Sequence, residues 1–295
     1  MERLPNSSDA PNTSERISPP AEKLRLYLAA EQAQLAKQFE SMQTEVPAGQ
    51  RLTLSPDFRI MPPSDFYSEE DKDFVRKKMI KNHGSADEKQ IRKDENERAG
   101  FLFEMLKTSI MHKKAGDRFI VVRSSRYDDE KNHIDNVFVD RKTGETVCAL
   151  DEISPKEMND AEAQKKKDQV RNRNFGYSGE SGGFGAARQA YLEPGMSLKY
   201  GIELADGKMS CKELRHLPIF MLSLDHDHLN EGMEKFKNDT TSSEYEDLLF
   251  SYFLSSLSTD IKKMKLDSRR YPDLPSDMRT RVGSLEAFLK EQGIR

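Results

Sequence analysis

The stretch from Phe119 to Ile153 constrains this chain more than any other, because it is the only long segment that reads as adjacent strands. Three short runs rich in β-branched residues follow one another there: Phe119-Ile-Val-Val122, Asp135-Asn-Val-Phe-Val139 and Glu145-Thr-Val-Cys-Ala-Leu150. Arg141-Lys-Thr-Gly144 lies between the second and third, and a Gly near the end of such a loop takes the left-handed conformation that closes a hairpin. The length of that turn decides where the acids point. A three-residue loop, Lys142 to Gly144, pairs Val139 with Val147, Val137 with Ala149 and Asp135 with Asp151. All six side chains then share one face, with the two carboxylates' Cβ atoms ~5 Å apart. A four-residue loop slips the register by one and sends Asp135 and Asp151 to opposite faces. The three-residue loop is the reading adopted here.

Composition narrows the class. A third of the 295 residues are charged, 35% are hydrophobic and Trp is absent, which is too polar for the whole chain to lie in a compact core. The net charge of −4 argues against coating nucleic acid by bulk electrostatics but leaves room for local basic patches. Two cysteines, Cys148 in a strand and Cys211 in a later loop, make neither a disulfide framework nor a zinc motif. The first residues carry no apolar signal region and no run approaches membrane-spanning length, so the expectation is a soluble cytoplasmic protein with no membrane partner.

In chain order, residues 1–20 read as a disordered tail, and Ala21 to Met42 as a helix that packs on the domain, pairs with a partner helix or projects freely. Val46 to Pro63, with four prolines and a Gly, reads as a connecting loop. Two helices follow, Ser68 to Lys81 and Ser85 to Lys113. Ile91, Ala99, Leu102, Leu106 and Ile110 form the stripe of the second, and Glu95 falls on it, either wet beyond the core edge or else paired or bound to a cation; Glu97 and Glu104 fall on the polar face. Asp128 and Asp129 read as a solvated turn. Ser154-Pro155 opens another helix running to about Arg173, with Met158, Ala161, Lys165 and Gln169 on its inner face. Its run Lys165, Lys166, Lys167, Arg171 and Arg173 is the best basic patch, either a solvated face or a nucleic-acid phosphate contact. The Gly-rich 175–185 lacks the phosphate-loop pattern and reads as a flexible loop. Strands at Leu198 to Leu204 and Ile219 to Leu224 flank a turn at Ala205 to Lys208. Asp225-His-Asp-His228 caps the helix that follows, with a metal role for His226 and His228 as the alternative. Ser242 to Met264 and Ser284 to Lys290 complete the helices. The expected architecture is α+β: a mixed central sheet of four to five strands flanked by helices, with helical N- and C-terminal extensions. Its divisions are a helix and Pro-rich linker over 21–63, a core over 64–240 and a helical extension over 241–295.

The order helix, three strands, helix, strand, with an Asp entering the second strand and an acid leaving the third, resembles the PD-(D/E)XK nuclease-like superfamily over about Ser85 to Leu224. The resemblance implies a restriction-endonuclease-like core and a divalent cation, commonly magnesium, held by Asp135, Asp151 and a helical Glu95. It also implies a Lys two residues after the third-strand acid that positions water for phosphodiester hydrolysis of DNA or RNA. Ile153 stands at that position, and Lys165 from the following helix, or Lys156, would replace it. Without that Lys the resemblance also implies a second outcome, a catalytically inactive nuclease-like fold that binds nucleic acid or a protein. A structural α+β protein is the third.

Overall fold

The computed structural model describes residues 19–95, 98–153, 160–176, 193–266 and 271–294. The expected tail, Glu97, the Ser154-Pro155 helix start with Lys156 and Met158, and nearly all of the Gly-rich loop lie outside them. The three runs form β3 (Phe119–Arg123), β4 (Asn136–Asp140) and β5 (Thr146–Ile153), each antiparallel to the next. A fourth strand, β8 (Ile219–Ser223), joins β5 in parallel, giving a mixed sheet in the order β3-β4-β5-β8. Sixteen of the 23 residues in these four strands belong to the buried hydrophobic core, as expected of strands covered on both faces.

Helix α4 (Ala99–Ala115) lies against one face: its Thr108 hydroxyl accepts from the Asn136 amide at 2.9 Å, and Glu104 and Lys107 meet β3 and β5. Helix α6 (Asp160–Asn174) serves the other face, where Lys166 reaches Asp151. The predicted single helix over 85–113 is in fact α3 (Glu88–Glu95) followed by α4. Helix α1 (Pro19–Met42) packs on the domain rather than projecting freely; Leu24, Tyr27, Leu28, Leu35 and Phe39 are all buried in the common hydrophobic core. The same core takes Leu249, Phe253, Leu257 and Ile261 of α8 (Glu244–Leu266) and Met278, Val282, Leu285 and Phe288 of α9 (Ser276–Glu291), a helix two turns longer than its sequence expectation.

Three further elements depart from expectation. The 46–63 segment holds a small hairpin, β1 (Thr53–Leu54) with β2 (Ile60–Met61). β6 (Met196–Ala205) pairs with β7 (Lys208–Leu217), so Cys211 sits in a strand rather than a loop; both cysteines are free. A short helix, α5 (Arg126–Asn132), occupies the expected solvated turn. Its Asp128 is fully buried, accepting from the Lys199 and Tyr200 backbone amides at 2.8 and 3.2 Å and from Asn132 at 2.9 Å, so it fastens β6 to the core. The remaining cap readings hold: Ser68 caps α2 (Glu69–His83), and Asp225 accepts from the His228 amide at 2.9 Å to start α7 (His226–Lys235).

The turn between β4 and β5 corrects the expected hairpin. The Asp140 amide donates to the Glu145 carbonyl at 2.9 Å, which closes a four-residue loop, Arg141 to Gly144, and Val139 faces Thr146 instead of Val147. A bulge then adds Val147 to β5, so that Phe138 faces Cys148, Val137 faces Ala149 and Asn136 faces Leu150. The extra residue restores at the far end the register that the three-residue loop would have produced from the start. Gly144 itself has φ +76°, and a Cβ there would lie 1.7 Å from the Leu204 carbonyl oxygen. Gly144→Ala is therefore expected to lose ~2 kcal/mol through backbone strain and displacement of β6, read as a lower denaturant midpoint at unchanged slope.

Candidate active site

Helix α4 is apolar on nearly every side: Phe103, Met105, Leu106, Ile110 and Met111 are all buried. Its two central charged residues therefore have nowhere to go but the interior. Glu104, expected on a solvated face, is 7% exposed and receives a bidentate pair from Arg123 of β3, Nη2 to Oε2 at 2.6 Å with Nε on Oε1. Lys107, fully buried, forms an ion pair with Glu152 of β5. Arg123 also reaches Asp57 through Nη1. Burial would raise the Asp57 carboxyl, but Arg123 and Arg59 outweigh it and hold that carboxyl well below its usual range.

Neighbouring residues on a strand point to opposite faces, so Asp151 and Glu152 diverge at the carboxyl end of β5. Glu152 turns to α4; Asp151 turns to α6, where Lys166 donates to Asp151 Oδ1 and to the Glu152 carbonyl, both at 2.8 Å. Asp135 stands immediately before β4, its amide donating to the Leu150 carbonyl at 2.9 Å. From there its carboxyl senses both faces. Desolvation first, then the like charges of Glu152, Asp151 and Glu104, push it well above the ordinary carboxylate range. Glu152 rises to about 7, by desolvation against the pull of Lys107 and with the push of Glu104. Five carboxylates (Asp57, Glu104, Asp135, Asp151 and Glu152) thus meet four cations (Arg59, Lys107, Arg123 and Lys166), and Asp135 is the one that has no basic partner among the described residues.

A cleft of about 370 Å³ opens on the α6 side, lined by His133, Asp151, Lys165, Lys166, Gln169, Val170 and Arg173. Desolvation and the nearby Arg173 lower the His133 imidazole below its ordinary value, so the ring is neutral at pH 7.

Of the residues expected at the site, Asp135 and Asp151 share one electrostatic environment. Glu95 does not join them. α3 ends at Glu95 and α4 starts at Ala99, so Glu95 is not on one continuous helical stripe with Leu102, and it closes on Arg126 instead. Lys165 stays exposed on the cleft rim, because the inward stripe of α6 is Ala163, Lys166, Val170 and Asn174, one position out of phase with the expected one. Lys166 holds the place assigned to it. Lys167 and Arg171 line a separate cavity beside β8, whereas Arg173 reaches the cleft. Asp129 pairs with Arg59 at 2.9 Å. Glu104, Lys107 and Glu152 escaped the reading of the sequence, although an acid and a base three apart in an all-round apolar helix were a signal of buried charge.

Among the described residues no three Asp, Glu, His or Cys side chains are grouped to enclose a metal ion, His226 and His228 included. Magnesium does not require such a cage, since it keeps several waters and binds through one or two carboxylates. Asp135, crowded by like charge, together with Asp151 fits that donor set.

Comparison with protein-family models finds no match, and searches of curated proteins and of solved structures return no significant one. No described helix is long and apolar enough to cross a membrane.

Proposed function

We propose that the chain is a nuclease-like phosphodiesterase acting on nucleic acid through the cleft beside Asp151. The observation that carries this reading is the mutual repulsion of Asp135 with Asp151, Glu152 and Glu104, where Asp151 lines a cleft whose rim is cationic. The element order α4, β3 to β5, α6, β8 supports it as well. Asp135 and Asp151 would hold magnesium, which when bound supplies a Lewis acid for the phosphoryl oxygen. Lys166, fixed between Asp151 and the Glu152 carbonyl, takes over the charge that Ile153 cannot provide. Lys165 and Arg173 hold the phosphodiester backbone at the rim, a contact that weakens with salt. His133, neutral at pH 7, is placed to accept a proton from water in the cleft. The Glu152–Lys107 pair is too buried to touch substrate and keeps β5 and α4 in register.

One observation favours the catalytically inactive binding reading: every carboxylate of the group except Asp135 already has a basic partner. Cleavage of labelled single- and double-stranded DNA and RNA with millimolar magnesium or manganese separates the two. Metal-dependent cleavage lost in Asp151→Ala and reduced ~10²-fold or more in Lys166→Met is the expected result. Salt-sensitive binding without cleavage under any metal would overturn the hydrolytic reading.

A further inference from the structure

A second cavity, of about 330 Å³, lies on the other side of the Arg123–Glu104 bridge, between β2, α2, α3 and α5. Ile60, Pro62, Val75, Met79 and Ile91 give it apolar walls, and its charged lining is Arg59, Lys72, Arg76 and Arg126 against Asp57 and Glu95. Four cations against two anions leave it net positive by two. Lys72 and Arg76 are half-exposed and carry their own helix partners, Glu69 and Asp73. Arg126 is occupied by Glu95.

Arg59 is different. It is 4% exposed, and only its Nη1 is bonded, to the Ser124 carbonyl at 3.2 Å and to Asp129 at 2.9 Å. Among the described residues its Nε and Nη2 are buried without a hydrogen-bond partner, and Glu104 Oε1 lies 3.9 Å from Nη2. Nε and Nη2 form the edge of a guanidinium that grips both oxygens of a carboxylate at once. Arg123 uses that same edge on Glu104. Two buried donors left unpaired on a cation are costly unless a ligand takes them.

We infer that this cavity binds a small organic acid, a carboxylate on an apolar body, with the carboxylate on the Nε/Nη2 edge of Arg59 and the body against Ile60, Val75, Met79 and Ile91. The volume is at the small end of ligand pockets, which suits a monocarboxylate of fragment size. Walls of this kind reject a bare inorganic anion, whose hydration they cannot replace. The site is independent of the nuclease reading: it shares no lining residue with the Asp151 cleft.

The test is thermal unfolding and calorimetric titration of the full chain with hexanoate and benzoate, against hexanamide, benzamide and inorganic phosphate. The acids are expected to raise Tm in a saturable way, and the amides and phosphate to leave it unchanged. Arg59→Lys keeps the charge but loses the fork, and is expected to weaken acid binding ~tenfold or more. Because a buried Arg59 variant risks misfolding, Met61→Glu is the second variant: Met61 lines the same cavity, is 42% exposed, and places a like charge at the mouth. It is expected to lower acid affinity while the unliganded Tm stays at the wild-type value. Acids that stabilise no better than their amides, phosphate that binds as tightly, or acid affinity untouched by both substitutions would overturn the assignment.

Discussion

Arg123→Met is expected to destabilise the protein by ~3–5 kcal/mol, the largest effect of any single change considered for this chain. Arg123 is fully buried on β3, grips Glu104 through two nitrogens and Asp57 through the third, and lies over the Phe101 ring at 4.8 Å. Methionine keeps much of the volume and none of the charge. Glu104, buried in α4, would then face the like charges of Asp135 and Glu152 with only Arg59, 3.9 Å away, to offset them. Asp57, 31% exposed, would recover part of its hydration and contributes the smaller share. Because the penalty is an orphaned charge rather than a lost attraction, removing the second charge should cancel it. The double variant Arg123→Met with Glu104→Met is expected within ~1 kcal/mol of wild type, since a buried pair replaced by apolar groups is often neutral. Denaturant unfolding of the four proteins closes the cycle. An Arg123→Met protein as stable as wild type, or a double variant worse than the sum of the singles, would show that the bridge does not hold α4 to the sheet.

The second large effect concerns pH. Asp135 and Glu152 both have carboxyls raised in the folded state, so between the unfolded and folded values the native protein binds more protons than the unfolded chain. Stability therefore falls as pH rises through that window, the reverse of a salt-bridged carboxylate. For Glu152 the window runs from 4.5 to about 7, and above it the full penalty is present, on the order of 3 kcal/mol. Asp135 extends the fall in the same direction. Asp135→Asn removes one of the repelling charges, so it is expected to raise Tm at pH 8, to change little at pH 5, and to flatten the slope between them. Melting curves across that range in chelator check this directly. A variant less stable than wild type at pH 8, with an unchanged slope, would mean that the Asp135 carboxylate is compensated after all. On the nuclease reading, magnesium relieves the same repulsion, so its stabilisation of wild type should be larger at pH 8 than at pH 5 and absent in Asp135→Asn.

Much of this fold was legible because its signals are local. The β-branched runs around Val121, Phe138 and Cys148 mark strands whatever surrounds them. Ser68 and Asp225 announce helix starts through oxygens that reach amides three residues on. The pairing that brings Asp135 toward Asp151 was also foreseen, though by the wrong turn: hydrophobic alternation fixes which residues must face the core, and the Val147 bulge supplies the residue that the four-residue loop removed. What periodicity cannot determine is where a helix breaks and how its stripe is phased against a neighbour. The gap between α3 and α4 reassigned Glu95 to Arg126, and a one-position rotation of α6 put Lys166, rather than Lys165, over Asp151. Glu104 and Lys107 follow the same rule. A helical wheel drawn for a single buried face assigns charged residues to water, and only when α1, α7 and α8 pack around α4 does that water disappear. Sequence alone determined the four strands of the central sheet, the Ser68 and Asp225 caps and the approach of Asp135 to Asp151. The tertiary structure decided which cations answer them, because burial of a charge is a property of everything packed around it, and the partner that makes such burial tolerable comes from a distant part of the chain.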